Sequence, residues 1–274
     1  MKWVIDKTGR FGWRPYYDRA ELDSECEQIV SDFLIQKYGA VRFPLTTDDL
    51  SIMIERDTSD LDLFADLSFD GDDVEATTDF FPHKKPAVKI DRELSLDSSK
   101  NLRLRTTMAH EYGHVRFHNF LWGMSAAPKP TVNMLKKLSS QRQAMSRLRQ
   151  KINQQPPNIK DQTEMPKLLT AQRTFKCARG LILQAPVSDW MEWQASYVCG
   201  ALLMPLSSVR NTALTSIPGW NGRDRIPADS SQAQDLMSRI AQVFDVSPDA
   251  AQVRLLKTGI LQITANNTEE DIPP

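Results

Sequence analysis

His110-Glu111-Tyr112-Gly113-His114 decides how this chain reads. It lies between Leu102-Arg103-Leu104-Arg105-Thr106-Thr107-Met108-Ala109 and Val115-Arg116-Phe117-His118. The apolar spacing of Leu102, Thr106, Ala109, Val115, Phe117 and Phe120, with Arg103, Arg105 and Arg116 set on exposed positions, predicts a helix over 102–120. Residues four apart share one helix face, so the imidazoles of His110 and His114 can close on one metal ion. Glu111 then stands beside the ion, where a carboxylate can take a proton from water as it attacks a peptide carbonyl. The chain has four histidines, and three of them fall at 110, 114 and 118, which concentrates imidazole where a metal would need it.

A catalytic zinc takes three protein ligands and leaves a fourth position open. His118 lies about 12 Å from His110 along the helix axis, too far to share the ion in one unbroken helix, and reads as a supporting or packing residue. His83, in Phe81-Pro82-His83-Lys84-Lys85-Pro86, keeps a three-histidine site open. The better candidate is a carboxylate, Glu192. It opens a nearly all-apolar helix, Trp190-Met191-Glu192-Trp193-Gln194-Ala195-Ser196-Tyr197-Val198-Cys199-Gly200-Ala201-Leu202-Leu203-Met204, capped by Asp189 and stopped by Pro205. An acid there also fits simple stabilisation of the helix N-terminus.

The two segments together resemble the ImmA/IrrE metallopeptidases, whose signature is HExxH followed by an E-x-x-A helix that ends in a Leu-Leu-Met-Pro-like run. Here these are 110–114, then Glu192 to Ala195, then Ala201-Leu202-Leu203-Met204-Pro205. Ala87-Val88-Lys89-Ile90-Asp91 resembles the strand before the active helix, and 240–247 with Arg254-Leu255-Leu256 resembles the C-terminal helical segment. The resemblance covers about two thirds of the chain, in pieces. It implies an α+β, mainly helical, zincin-like core with a small β-sheet. It also implies His110, His114 and Glu192 as metal ligands, Glu111 as general base, zinc or another divalent ion such as manganese as cofactor, and a helix-turn-helix repressor as protein substrate. Such cleavage would induce mobile-element, prophage or stress genes.

The spacing departs from that pattern, because Glu192 follows His114 by 78 residues, a longer connection than the family uses. The added segment is basic: Lys129 to Arg179 holds twelve Lys/Arg against two acids, Asp161 and Glu164. Met134, Leu135, Leu138, Met145, Leu148 and Ile152 recur at near-helical spacing within it and predict an amphipathic basic helix. That helix can pack on the core, against the acidic stretch from Asp48 to Asp79, or dock an acidic partner. Direct DNA binding through it ranks last. The division expected is an aromatic N-terminal extension (1–20), a core (21–127 and 187–264), a basic insertion (128–186) and a flexible tail (265–274).

Helices are expected at 22–38 and 46–55, the second capped by Thr47 or Asp48, strands at 61–68, 76–81 and 87–91, and a helix-turn-helix pair at 231–244 and 249–257. That pair spends Ala250, Ala251, Val253, Leu255 and Leu256 on apolar positions, which favours core packing over DNA reading. One edge of the small sheet is expected to pair with an extended substrate beside the metal. Tyr197, His83, Tyr112 and Arg116 are the candidate oxyanion donors. Cys26, Cys177 and Cys199 lack metal spacing and fit a reducing compartment. Cys177, beside Lys176 and Arg179, is a candidate latency thiol for the open metal position. At 274 residues, 41% hydrophobic and 25% charged, the composition fits a cytoplasmic enzyme with no membrane partner. The expectation is a zinc-dependent metallo-endopeptidase; a non-proteolytic metal-binding regulator or toxin-like partner of a repressor is the alternative.

Overall fold

Reciprocal capping sets where the first two helices begin. In the computed structural model, which describes residues 1–125, 173–178, 180, 185–186 and 188–263, the Asp18 side chain accepts from the Glu21 backbone N–H while Glu21 returns the bond, opening α1 (Arg19–Tyr38). Thr46 and Asp49 do the same for α2 (Thr47–Asp57). Each such cap contributes about 1 kcal/mol. Both starts differ from the sequence reading, which keyed on the first apolar residue of α1 and on Thr47 or Asp48 for α2. Gly39, at φ 76°, closes α1 in the left-handed conformation that costs glycine nothing.

Four strands follow the α+β pattern: β3 (Asp60–Ala65), β4 (Val74–Phe80), β5 (Ala87–Asp91) and, after the long connection, β6 (Arg173–Ala178). Their order is β3-β5-β4-β6; β3 and β5 run parallel, and β4 is antiparallel to both its neighbours. This corrects the expected boundary at 186, because residues 173–178, assigned to the insertion, form an edge strand of the core sheet. Thr174, Phe175 and Lys176 carry the β-branched and aromatic character such a strand needs. The basic helix expected around 134–152 and the tail 265–274 lie outside the described residues.

After the short α3 (Arg92–Leu96), the long α4 (Asn101–Ser125) runs beneath β4 and β5 and packs most extensively on α5 (Trp190–Leu203). Gly113 permits the approach of these two helices: a Cβ on it would lie 3.2 Å from Val198 Cγ1 and 3.3 Å from Ala195 Cα. The arginines of α4 are not the exposed residues that periodicity suggested. Arg105 is 1% exposed and donates to the carbonyls of Leu45, Phe244 and Asp245, holding α4 to the loop before α2 and to the C-terminal helices. Arg103 pairs with Glu75 on β4, and Arg116 with Asp57 at 2.9 Å.

The C-terminal half continues with α6 (Leu206–Ser216), α7 (Ser231–Phe244) and α8 (Pro248–Lys257), and two short strands, β7 (Ile226–Pro227) and β8 (Leu261–Gln262), pair in parallel. Leu236, Ile240, Phe244, Ala251 and Leu255 are buried, and so is Arg254, which donates to the Met204 carbonyl and pairs with Asp23 at 2.7 Å. One of the two bases in α8 is thus spent inside the core. The N-terminal hairpin, β1 (Lys2–Ile5) with β2 (Trp13–Tyr16), brings Trp3 and Phe11 onto an aromatic cluster with Phe80, Phe120, Trp122, Phe175 and Trp190. No helix among the described residues is long and apolar enough to cross a membrane.

Candidate metal centre

His110 and His114, one turn apart on α4, face Glu192 in the first turn of α5. His110 Nε2 lies 3.2 Å from Glu192 Oε2, His114 Nε2 lies 3.4 Å from Glu192 Oε1, and the two Nε2 atoms are 3.2 Å apart. All three side chains are buried, and together they form a group that could hold a metal ion. The edge of a tetrahedron with metal–ligand bonds of about 2.0–2.1 Å is about 3.3–3.4 Å. The separation of the two imidazole nitrogens, and of each from one oxygen of Glu192, is close to that edge, the two histidines meeting different oxygens of the carboxylate.

Supporting groups fix the protons. Gln194 Nε2 donates to the Pro15 carbonyl at 3.2 Å, which turns its Oε1 towards His118 Nε2, 3.1 Å away. His118 must then donate from Nε2, leaving its Nδ1 to accept from His114 Nδ1 at 3.0 Å. That chain leaves the lone pair of a neutral His114 on Nε2, the atom directed at His110 and Glu192. Burial, then the nearby His114, push His118 well below the usual histidine range, in keeping with its neutral role. Burial alone would also depress His114, but Glu192 and Glu111 beside it win and raise its pKa. Burial opposes ionisation of Glu192 too, yet His114 and His110 hold it well below the carboxylate range.

The sequence also places Glu192 through its cap. Asp189 accepts from the backbone N–H groups of Met191 (3.2 Å) and Glu192 (3.4 Å), and Arg10 from the N-terminal hairpin grips Asp189 through its two terminal guanidinium nitrogens, one at 2.8 Å. Arg10 also lies over the Phe175 ring, 5.2 Å from its centroid. The extension thus holds the start of α5 and braces β6.

Glu111, 1% exposed, accepts a hydrogen bond from Thr78 of β4 through Oε2. Burial raises its pKa against the pull of His114 and His110, the direction a general base near neutral pH needs. Cys177, on β6, stands with its sulfur, a His110 nitrogen and a Glu111 oxygen all within 4.8 Å of one another. Burial, followed by Glu111 and Glu192, pushes its thiol well above the ordinary value, so the basic neighbours invoked from sequence do not activate it here.

The candidate oxyanion donors are elsewhere. Tyr112 donates to Asp57 at 2.9 Å beside Arg116, which uses the same carboxylate. Tyr197 donates to Asp23 at 2.9 Å, next to Arg254. His83 is exposed in the β4–β5 connection, outside the group of candidate ligands. Cys199 is buried and donates to the Thr106 carbonyl at 3.3 Å. Thr78, Gln194 and Arg10, which orient the centre, escaped the sequence reading. For Gln194 a signal existed: an amide in an otherwise apolar helix, two positions after Glu192. Neither a protein-family model nor a curated protein matches the chain.

Proposed function

We propose that the chain is a metal-dependent endopeptidase, as its resemblance to the ImmA/IrrE group implies, with zinc as the ion and manganese as a substitute. The observation that carries the reading is the buried His110–His114–Glu192 group, with the two Nε2 atoms 3.2 Å apart and each within 3.4 Å of a Glu192 oxygen, and the Glu111 carboxylate beside it. The bound ion supplies a Lewis acid that polarises the scissile carbonyl and makes water nucleophilic at neutral pH. Glu111 accepts the proton of the attacking water and passes it to the leaving amine, with Thr78 fixing its carboxylate. His118, through Gln194, keeps His114 in the tautomer that presents Nε2. The substrate is a protein of the helix-turn-helix repressor class in the cytoplasm.

Burial of all four side chains beneath the sheet favours, as a second reading, a metal-binding regulator that acts on a repressor without cutting it. Glu111→Gln separates the two. The variant retains metal and fold, and a peptidase loses cleavage of a helix-turn-helix repressor substrate. A variant that still derepresses transcription in cells favours the regulator.

A further inference from the structure

The side of β4 away from β5, next to the Thr78 that holds Glu111, is occupied by the chain itself. β6 runs antiparallel along β4, with Cys177 opposite Ala76 and Phe175 opposite Thr78, the residue that holds Glu111. Period-two alternation turns Phe175 and Cys177 to the same face. The Phe175 ring centroid lies 5.8 Å from that of His114, and Cys177 lies against His110 and Glu111. The outward residues tie the strand down: Thr174 donates to Asp79, and Lys176 donates to the Asp70 carbonyl at 2.7 Å and pairs with its carboxylate at 3.1 Å. Among the described residues Glu111 Oε1 is buried without a hydrogen-bond partner, and the Cys177 thiol lies beside the Glu111 carboxylate. A thiol, an imidazole nitrogen and a carboxylate therefore converge from α4 and β6 beside the His110–His114–Glu192 group, sharing His110 with it.

We infer that Cys177 is a fourth ligand of the metal centre, and that β6 holds the peptidase latent by occupying the place of the substrate strand. The inference rests on the metallopeptidase reading above. On metal loading the Cys177 S–H proton passes to the Glu111 carboxylate, and the thiolate binds the ion. One event fills the open coordination position and neutralises the general base. Catalysis then requires β6 to leave β4, which returns the proton to sulfur and frees both Glu111 and the β4 edge. A protein substrate or partner that pairs with β4 supplies that displacement by strand exchange.

Cobalt(II) tests this in the full-length protein. A thiolate ligand gives a sulfur-to-cobalt charge-transfer absorption in the near ultraviolet, a readout independent of activity. The wild-type complex with one cobalt shows the band; Cys177→Ala and Cys177→Ser lose it while keeping a native circular dichroism spectrum. Loss of a direct ligand weakens metal binding by at least about ten-fold, the lower bound for losing even an outer partner. Cleavage of short unstructured peptides by zinc-loaded Cys177→Ala rises above that of wild type. One cobalt bound by wild type without the band overturns the inference and leaves the metal centre standing. No cobalt bound by wild type overturns both. Should the variants misfold, the wild-type spectrum alone still decides, because Cys199 donates to the Thr106 carbonyl and Cys26 lies buried among the hydrophobic residues of the core.

Discussion

Gly113 and Ala195 lie in near-contact, and their approach sets the distance between the two helices that carry the candidate metal ligands: a Cβ on Gly113 would stand 3.3 Å from Ala195 Cα and 3.4 Å from its carbonyl oxygen. Those neighbours are backbone and cannot rotate away. Gly113→Ala gains about 1 kcal/mol of helix propensity and meets overpacking strain of about 1–3 kcal/mol. We expect a lower melting temperature together with weaker metal binding, measured by calorimetry and chelator competition. A variant that melts higher and binds metal as tightly as wild type would show that this contact does not set the ligand geometry.

The relay from Pro15 through Gln194 and His118 to His114 predicts an effect at a distance from the ion. His118→Ala removes the acceptor for His114 Nδ1–H, freeing the ring to rotate or change tautomer. Metal affinity should fall by about 10–100-fold, less than for loss of His114 itself. Equal affinities for His118→Ala and wild type would leave His118 as a packing residue only.

Proton competition gives metal affinity a defined pH dependence. Glu192 and Glu111 raise the pKa of His114 against its burial, while His114 and His110 keep Glu192 ionised. Metal must displace the His114 proton, so affinity rises with pH up to a value above the ordinary imidazole pKa of about 6.5. Below that point it falls by about ten-fold per pH unit, for one displaced proton. In the metal-free protein the signs run the other way at the basic end. The raised His114 stabilises the fold below about pH 6.5 and loses that contribution as pH rises through its folded pKa. The depressed Glu192 contributes above about pH 4.3 and loses it as pH falls through its own folded value. The gap in melting temperature between metal-loaded and metal-free protein should therefore widen from about pH 5.5 to about pH 8. A constant gap would contradict the His114–Glu192 coupling.

Glu111→Gln retains the hydrogen bond from Thr78 in shape but cannot accept a proton. Peptide cleavage should fall by about a hundred- to ten-thousand-fold with metal content unchanged. Cleavage at the wild-type rate would remove Glu111 from the chemistry.

Much of the centre was legible because it is local. Two histidines one turn apart with a carboxylate between them need only helical periodicity, and Glu192 stood out as the lone acid in an apolar helix beyond its cap. The same periodicity argues against the chosen oxyanion donors. At about 100° per residue, Tyr112 points about 200° from His110 and Tyr197 about 140° from Glu192, towards the acids Asp57 and Asp23 that they bond. Arg105 misled for a different reason, since an arginine in an apolar run looks exposed until three distant carbonyls are found for it. Cys177 was singled out for its basic neighbours, whereas its position depends on β6 pairing with a strand about a hundred residues earlier. No local pattern encodes that register, nor the reach of Arg10 across the fold to Asp189.

Metal content tests the central claim most directly. Purified protein, analysed by elemental mass spectrometry after dialysis against zinc, should carry one equivalent of metal, and His110→Ala, His114→Ala and Glu192→Ala should each lose most of it while His83→Ala keeps it. Full occupancy in Glu192→Ala, or loss of metal in His83→Ala, would contradict the triangle of His110, His114 and Glu192 as the metal centre.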